Sequence, residues 1–235
     1  MILSGLTPLN THYNWILFDA DETLFSFDAF SGLTLLFSQY GITFTEADFQ
    51  SYMTLNKSLW VDYQNKVIDA NTLQINRFVP WGNKLNIDPL TLNRGFLSAM
   101  AEVCQPLDGA IALLTALNKT AKIGIITNGF TALQQIRLQK TGINKLIDLL
   151  VISEQVGYPK PDHRIFDFAF KKMGNPEKSR VLMVGDNLDT DIKGGNDFGI
   201  DTCWYNPEMH ENKTDISPKI EVDSHQKLQS LLDIS

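Results

Sequence analysis

Two carboxylates one residue apart, Asp19 and Asp21, close the apolar run Trp15-Ile16-Leu17-Phe18 and are followed by a hydroxyl at Thr23. A short continuous apolar run predicts a strand buried on both faces of a parallel sheet, and such sheets place reactive groups at their carboxyl edge. With Asp19 ending the strand and Asp21 in the loop beyond, the two acids can reach one substrate atom from different environments. A nucleophile and a general acid/base need that division. Alone, D-x-D-x-T is equally well a solvated acidic turn.

Three more strand-like runs end in groups of complementary chemistry. Residues 122–127 end in Thr127-Asn128-Gly129, residues 149–153 lead on to Lys160 between two prolines, and residues 180–185 end in Gly185-Asp186-Asn187 with Asp189 and Asp191 behind. Singly these read as a turn, a loop lysine and a helix cap. At successive strand ends of one sheet they bring carboxylates, a hydroxyl and a lysine to one point. Asp19 and Asp186, with a backbone carbonyl near Asp21, make a hard-oxygen set for Mg²⁺, for which Mn²⁺ can substitute. Lys160 can neutralise phosphate oxygens, and Thr127 and the Asn128 amide can donate hydrogen bonds to them. A metal would hold Asp19 ionised while Asp21 carries a proton.

The positioning elements follow from periodicity. From residue 109 onward strands alternate with helices, at residues 131–141, 161–173 and 188–198, up to a last strand at 202–205, which predicts a doubly wound parallel sheet. Between the first strand and this series, apolar residues recur at helical spacing: Phe30, Leu33, Leu36 and Phe37, then Phe49, Met53, Leu59, Trp60 and Tyr63. Thr45 with Asp48 reads as an N-cap, and Asp88-Pro89 as a helix start. The expected organisation is therefore an α/β core of residues 1–24 and 106–235, interrupted by an all-helical insertion at 25–105.

Composition narrows the function. A chain of 235 residues, 43% apolar, can build one full domain plus an insert. Its net charge of −7 argues against nucleic-acid binding, though not against a small anionic substrate held by local cations or a metal. Cys104 and Cys203 have no metal-ligand spacing and read as structural thiols in a reducing compartment. His12, His163, His210 and His225 are scattered singly and read as surface or loop residues. Residues 1–14 lack a basic start and an apolar stretch, and no apolar run approaches the ~20 residues of a membrane helix, so the expected location is the cytoplasm, without membrane partners.

Taken together, D-x-D-x-T, Thr127, Lys160 and the G-D-x-x-x-x-D of Gly185, Asp186 and Asp191 resemble the four motifs of the haloacid dehalogenase superfamily of phosphatases, over essentially the whole chain. The resemblance implies a Rossmann-like core with a helical cap domain. It also implies Asp19 as nucleophile, Asp21 as acid/base, Thr127 and Lys160 as phosphate ligands, and a metal held by Asp19, Asp21 and Asp186 with Asp191 supporting from behind. Glu22 departs from the glycine that many members carry. More narrowly, residues 18–25, 60–64, 126–130 and 184–187 are similar to bacterial pyrimidine 5′-nucleotidases acting on dUMP, UMP and dTMP. This implies a Mg²⁺-dependent 5′-nucleotidase working alone or as a weak homodimer on nucleoside monophosphates.

Base selection would then fall to the insertion, with Asn56 and Gln64 as its foremost polar candidates. Other readings share these residues: a phosphatase or phosphomutase of small sugar phosphates or phosphoglycolate, or a phosphate-sensing module without catalysis. A dehalogenase fits less well, because a leaving halide needs no proton from Asp21.

Overall fold

The computed structural model describes residues 13–233; the N-terminal stretch read above, with His12, lies outside the described residues apart from its last two positions. In chain order the main elements are β1 (Trp15–Phe18), α1 (Ala29–Ser38), α2 (Glu46–Gln64), α3 (Ala70–Asn76), α4 (Val79–Leu85) and α5 (Pro89–Val103). They continue with α6 (Ala110–Leu117), β2 (Lys122–Thr127), α7 (Thr131–Thr141), β3 (Leu149–Ile152), the single turn α8 (Ser153–Val156) and α9 (His163–Met173). β4 (Val181–Gly185), α10 (Lys193–Phe198), β5 (Asp201–Tyr205), β6 (Ile220–Val222) and α11 (His225–Leu231) complete the chain. No described helix is long and apolar enough to cross a membrane.

The six strands form one parallel sheet in the order β3-β2-β1-β4-β5-β6. Strand β1 lies where the order reverses, between β2 and β4, which is the switch point at which doubly wound sheets bind ligands. All four of its residues are buried, as a strand covered on both faces requires. Leu17 packs with Ile126, Val151, Ile165, Phe166, Val181 and Met183. The edge strand β6 and the helix α11 are additions that the sequence pattern did not show, because each is short and bounded by polar turns. The helix read at 188–198 also divides: residues 188–192 form a wider π-type turn before α10.

The described residues fall into two compact units. One contains the chain up to Ser26, Pro106–Asn128 and everything from Thr141; the other contains Phe27–Gln105 and Gly129–Lys140. Nearly all of α7 thus belongs to the helical unit, although its place after β2 reads as part of an alternating core. Its apolar residues explain this, since Leu133 and the preceding Phe130 join the buried cluster of Leu33, Phe37, Phe78 and Phe96, and Lys140 Nζ donates to Ala101 O at 3.3 Å.

The helical unit starts its helices as expected. Thr45 and Asp48 exchange hydrogen bonds in a capping box, and Asp88 accepts from Thr91 N at 3.0 Å ahead of α5. At its centre is a buried polar group: Arg77 donates through Nε (2.9 Å) and Nη2 to Asn93 Oδ1, and Asn93 Nδ2 donates to Gln74 Oε1 (2.9 Å). The guanidinium lies 5.0–5.5 Å from the rings of Phe78, Phe96 and Phe130 and pairs with no carboxylate among the described residues. Asn93 is therefore the hub. Asn93→Ala should cost about 2–3 kcal/mol, because it removes the side-chain acceptor of a buried guanidinium. Urea unfolding would show this as a lowered midpoint, and a midpoint unchanged from wild type would mean that the network adds nothing to stability.

Candidate active site

Parallel register brings the chemistry to one edge. Phe18 pairs with Ile125 on one side and Val184 on the other, so Asp19, Thr127 and Asp186 emerge from the same ends of three adjacent strands. The Asp19 N–H still donates to Val184 O at 2.9 Å, which fixes its backbone as the last rung of the sheet. Asp21 follows half-buried in the loop, and Thr127 is buried at the tip of β2.

Lys160 organises the group. Its ammonium is buried and donates to Asp19 Oδ1 and to Asp191 Oδ1, both at 2.6 Å. Burial alone would lower its pKa, but the two carboxylates outweigh burial and hold the net shift upward, so the ammonium stays charged. Asn128 holds the lysine in place through a reciprocal pair: the Lys160 N–H donates to Asn128 Oδ1 at 2.7 Å, and Asn128 Nδ2 donates to Lys160 O at 3.0 Å. The side chain expected to touch a phosphate thus grips the backbone of the residue that would neutralise it.

Asp191 is fully buried, and its second oxygen accepts the Asn187 N–H at 3.1 Å. The π-type turn that delivers it is capped by Asn187 Oδ1, which accepts from the N–H groups of Asp189 (3.0 Å) and Thr190 (3.1 Å). Asp189 itself is exposed and takes no part in the cluster. Asp186 is held by Thr23, whose Oγ1 accepts the Asp186 N–H (3.0 Å) and donates to Asp186 Oδ1 (3.2 Å). Trp204 Nε1 donates to Asp186 O at 2.8 Å. Thr23 carries no assigned role in the sequence reading beyond its place in D-x-D-x-T, and that place is the signal that could have found it. Glu22, next to it, adopts φ +54, the left-handed conformation that favours glycine. Keeping a side chain there costs roughly 1 kcal/mol.

One carboxylate oxygen each from Asp19, Asp186 and Asp191 lies within 4.8 Å of the others. Burial first, then its acidic neighbours Asp191 and Asp21, push the Asp19 carboxyl up to about 7 against the pull of Lys160. Burial and then Asp19 and Asp191 push Asp186 up to about 8. Three crowded acids facing one ammonium form an over-charged oxygen site, and a hard divalent cation fits that donor set. The side chains that gather are those of Asp19, Asp186 and Asp191, the last folded back onto the strand ends by the π-type turn; the part expected of Asp21 is a backbone carbonyl. Asn56 and Gln64 lie in the helical unit, on α2, and are not among these residues.

Gly185 makes the cluster possible. A Cβ at this position would overlap the Asp191 carboxylate, so only glycine lets the acid lie against the strand. Gly185→Ala should cost about 1–3 kcal/mol through overpacking. A urea midpoint equal to that of wild type would show instead that Asp191 has room to shift.

The geometry agrees with comparisons to known proteins. Residues 13–199 match the family of haloacid dehalogenase-like hydrolases. The chain is 54% identical to the pyrimidine 5′-nucleotidase YjjG of Escherichia coli (strain K12), covering 94% of this chain and 98% of that protein. It is 36% identical to the pyrimidine 5′-nucleotidase PynA of Streptococcus pneumoniae, covering 94% and 95% respectively. Among solved structures, the HAD-hydrolase YfnB of Bacillus subtilis bound to magnesium superposes with a TM-score of 0.82 at 29% identity, covering 95% of this chain and all 100% of that one. With motifs, fold and near full-length identity in agreement, this chain belongs to the haloacid dehalogenase-like hydrolases.

Proposed function

We propose that this chain is a Mg²⁺-dependent 5′-nucleotidase that hydrolyses nucleoside 5′-monophosphates, pyrimidine ones (dUMP, UMP, dTMP) by preference, through an aspartyl-phosphate. The buried Asp19–Lys160 pair inside a group of three carboxylates carries the phosphatase reading. The substrate class rests on near full-length similarity to two pyrimidine 5′-nucleotidases.

Asp19 and Asp186, with the backbone carbonyl of Asp21 and with Asp191 supporting from behind, would hold the metal, which when bound would supply the positive charge that keeps these acids ionised together and neutralises phosphate oxygens. Lys160 holds Asp19 Oδ1, so the carboxylate is aimed before substrate arrives. Asp19 attacks phosphorus, a carboxylate O–P bond forms, the P–O5′ bond breaks, and Asp21 gives its proton to the departing O5′. Asp21 then takes a proton from water as that water attacks phosphorus, which breaks the aspartyl O–P bond and releases inorganic phosphate. Lys160 and Thr127 neutralise and orient the non-bridging oxygens throughout.

Asp19→Asn should keep the fold and lose turnover by on the order of 10⁴-fold or more, since an amide is no nucleophile. After acid quench, label from a phosphoester should be found on wild type and be absent from this variant; label on Asp19→Asn would remove Asp19 from the role. Asp21→Asn should accumulate phosphoenzyme from an aryl phosphate, whose leaving group needs no proton, and hydrolyse it slowly.

Base selection is assigned to the helical unit. Asn56 Oδ1 is buried there without a hydrogen-bond partner, the kind of acceptor that an imide N–H satisfies. Asn56→Ala and Gln64→Ala should lower the preference for uridine over adenosine monophosphate by ~10-fold, about the worth of one hydrogen bond in a water-excluded site, with aryl phosphate turnover nearly unchanged. A panel of nucleotides and sugar phosphates, with and without Mg²⁺, tests the whole reading: equal rates on purine and pyrimidine nucleotides, or preference for a sugar phosphate, would leave only a general phosphatase.

A further inference from the structure

A fully buried histidine outside the motifs ties the acidic site to the C-terminal end of the core unit. The sequence pattern read His225 as a surface or loop residue; the fold buries it completely at the start of α11. His163 and His210, by contrast, are exposed. Both ring nitrogens of His225 face main-chain carbonyl oxygens: Nδ1 lies 2.8 Å from Asp108 O and Nε2 lies 2.8 Å from Thr23 O. Carbonyl oxygens only accept. A neutral imidazole has one N–H, so its other nitrogen would point a lone pair at an oxygen lone pair, whereas an imidazolium donates to both.

The surroundings are acidic. Asp108 contributes its carboxylate, which accepts from Gln226 Nε2 at 3.2 Å, and Glu22 adjoins Thr23 in sequence. Asp223 is on the same segment as His225 and pairs with Lys227 at 3.2 Å, while the Tyr205 ring of β5 stacks on the imidazole at 4.6 Å between centroids. Burial, then Asp108, Glu22 and Asp223, push the Tyr205 phenol up, so all three acids act at this spot. Three acids against one lysine leave the neighbourhood negative.

The two oxygens are well placed for a purpose. Thr23 and Asp108 lie on the two segments that lead out of the core unit before Phe27 and back into it at Pro106, segments also joined by the Leu107 N–H donating to Leu24 O at 2.9 Å. Thr23 is also the residue whose hydroxyl both accepts from and donates to Asp186. We propose that His225 is a positioning residue of the metal site: as an imidazolium it holds Thr23 and Asp108 together, and through Thr23 it fixes the Asp186 carboxylate for a divalent cation. This role rests on the phosphatase reading only for its catalytic consequence, because the protonation state and the tie to Asp186 are properties of the protein itself.

Long-range ¹H–¹⁵N correlation of the ¹⁵N-labelled full-length protein at pH 7.5, with His225 assigned from its absence in His225→Gln, should show hydrogen on both ring nitrogens. One bare nitrogen would overturn the proposal without any variant having to fold. Calorimetric Mg²⁺ titration should then show affinity ~10-fold weaker in His225→Gln and in Thr23→Val, a loss typical of outer-shell partners, and little further loss in the double variant, since both changes cut one relay. Additive losses, or wild-type affinity in folded His225→Gln, would overturn it. In turnover the same variants should need ~10-fold more Mg²⁺ for half-activation with KM unchanged. If these binding results hold while no phosphoester is hydrolysed, the phosphatase reading fails and the relay stands.

Discussion

A buried ammonium shared between two carboxylates is the interaction on which the rest of the site depends. Lys160 reaches Asp19 and Asp191 at 2.6 Å each, and without it three acids would face one another in a region largely closed to water. Charge of one sign at that density cannot persist in a low-dielectric interior; the groups would take up protons or move apart. The protein therefore invests its local structure in placing a single Nζ. Asn128 clamps the lysine backbone, Gly185 leaves space for Asp191, and the π-type turn after β4 brings Asp191 back toward the strand ends.

The remaining carboxylates form a hard-oxygen donor set that could hold a cation. A divalent ion and an incoming phosphate have opposite charges, and an acid cluster with one lysine can accept both together more easily than either alone. The parallel sheet makes this possible at low entropic cost, since its strand ends hold Asp19, Thr127 and Asp186 rigidly before any ligand arrives. The helical unit is held by different forces. Its centre is aromatic with an arginine buried among rings and amides, and its stability depends on packing and hydrogen-bond satisfaction rather than on charge pairing.

Much of this was legible in the chain. The strand that ends in Asp19 announces itself because β1 is buried on both faces, so its apolar run has no polar interruption. Thr127, Lys160 and Asp186 could be read as one group because parallel strands all deliver their ends to one edge. What escaped depends on tertiary context. Helical periodicity does not tell that Asp191 turns inward and Asp189 outward, since a π-type turn shifts the helical phase, and Asp191 was legible only through its place in G-D-x-x-x-x-D. Burial of His225 could not be seen either, because its two partners lie 117 and 202 residues away in the chain. The membership of α7 in the helical unit was hidden by the regular alternation in which it sits.

That last feature bears on how such proteins could exchange parts in evolution or in the laboratory. The chain passes between its two units at four places, after Ser26, Gln105, Asn128 and Lys140, so the helical unit is not a cassette bounded by one entry and one exit. A transplant of residues 27–105 from a relative would arrive without Phe130 and Leu133, which belong to its interior, and would have to accept the host's versions. Recombining the helical unit of this scaffold is therefore a four-junction problem. The short stretch immediately after Thr127 and Asn128, which looks like the property of the catalytic half, must co-vary with the half that it packs into.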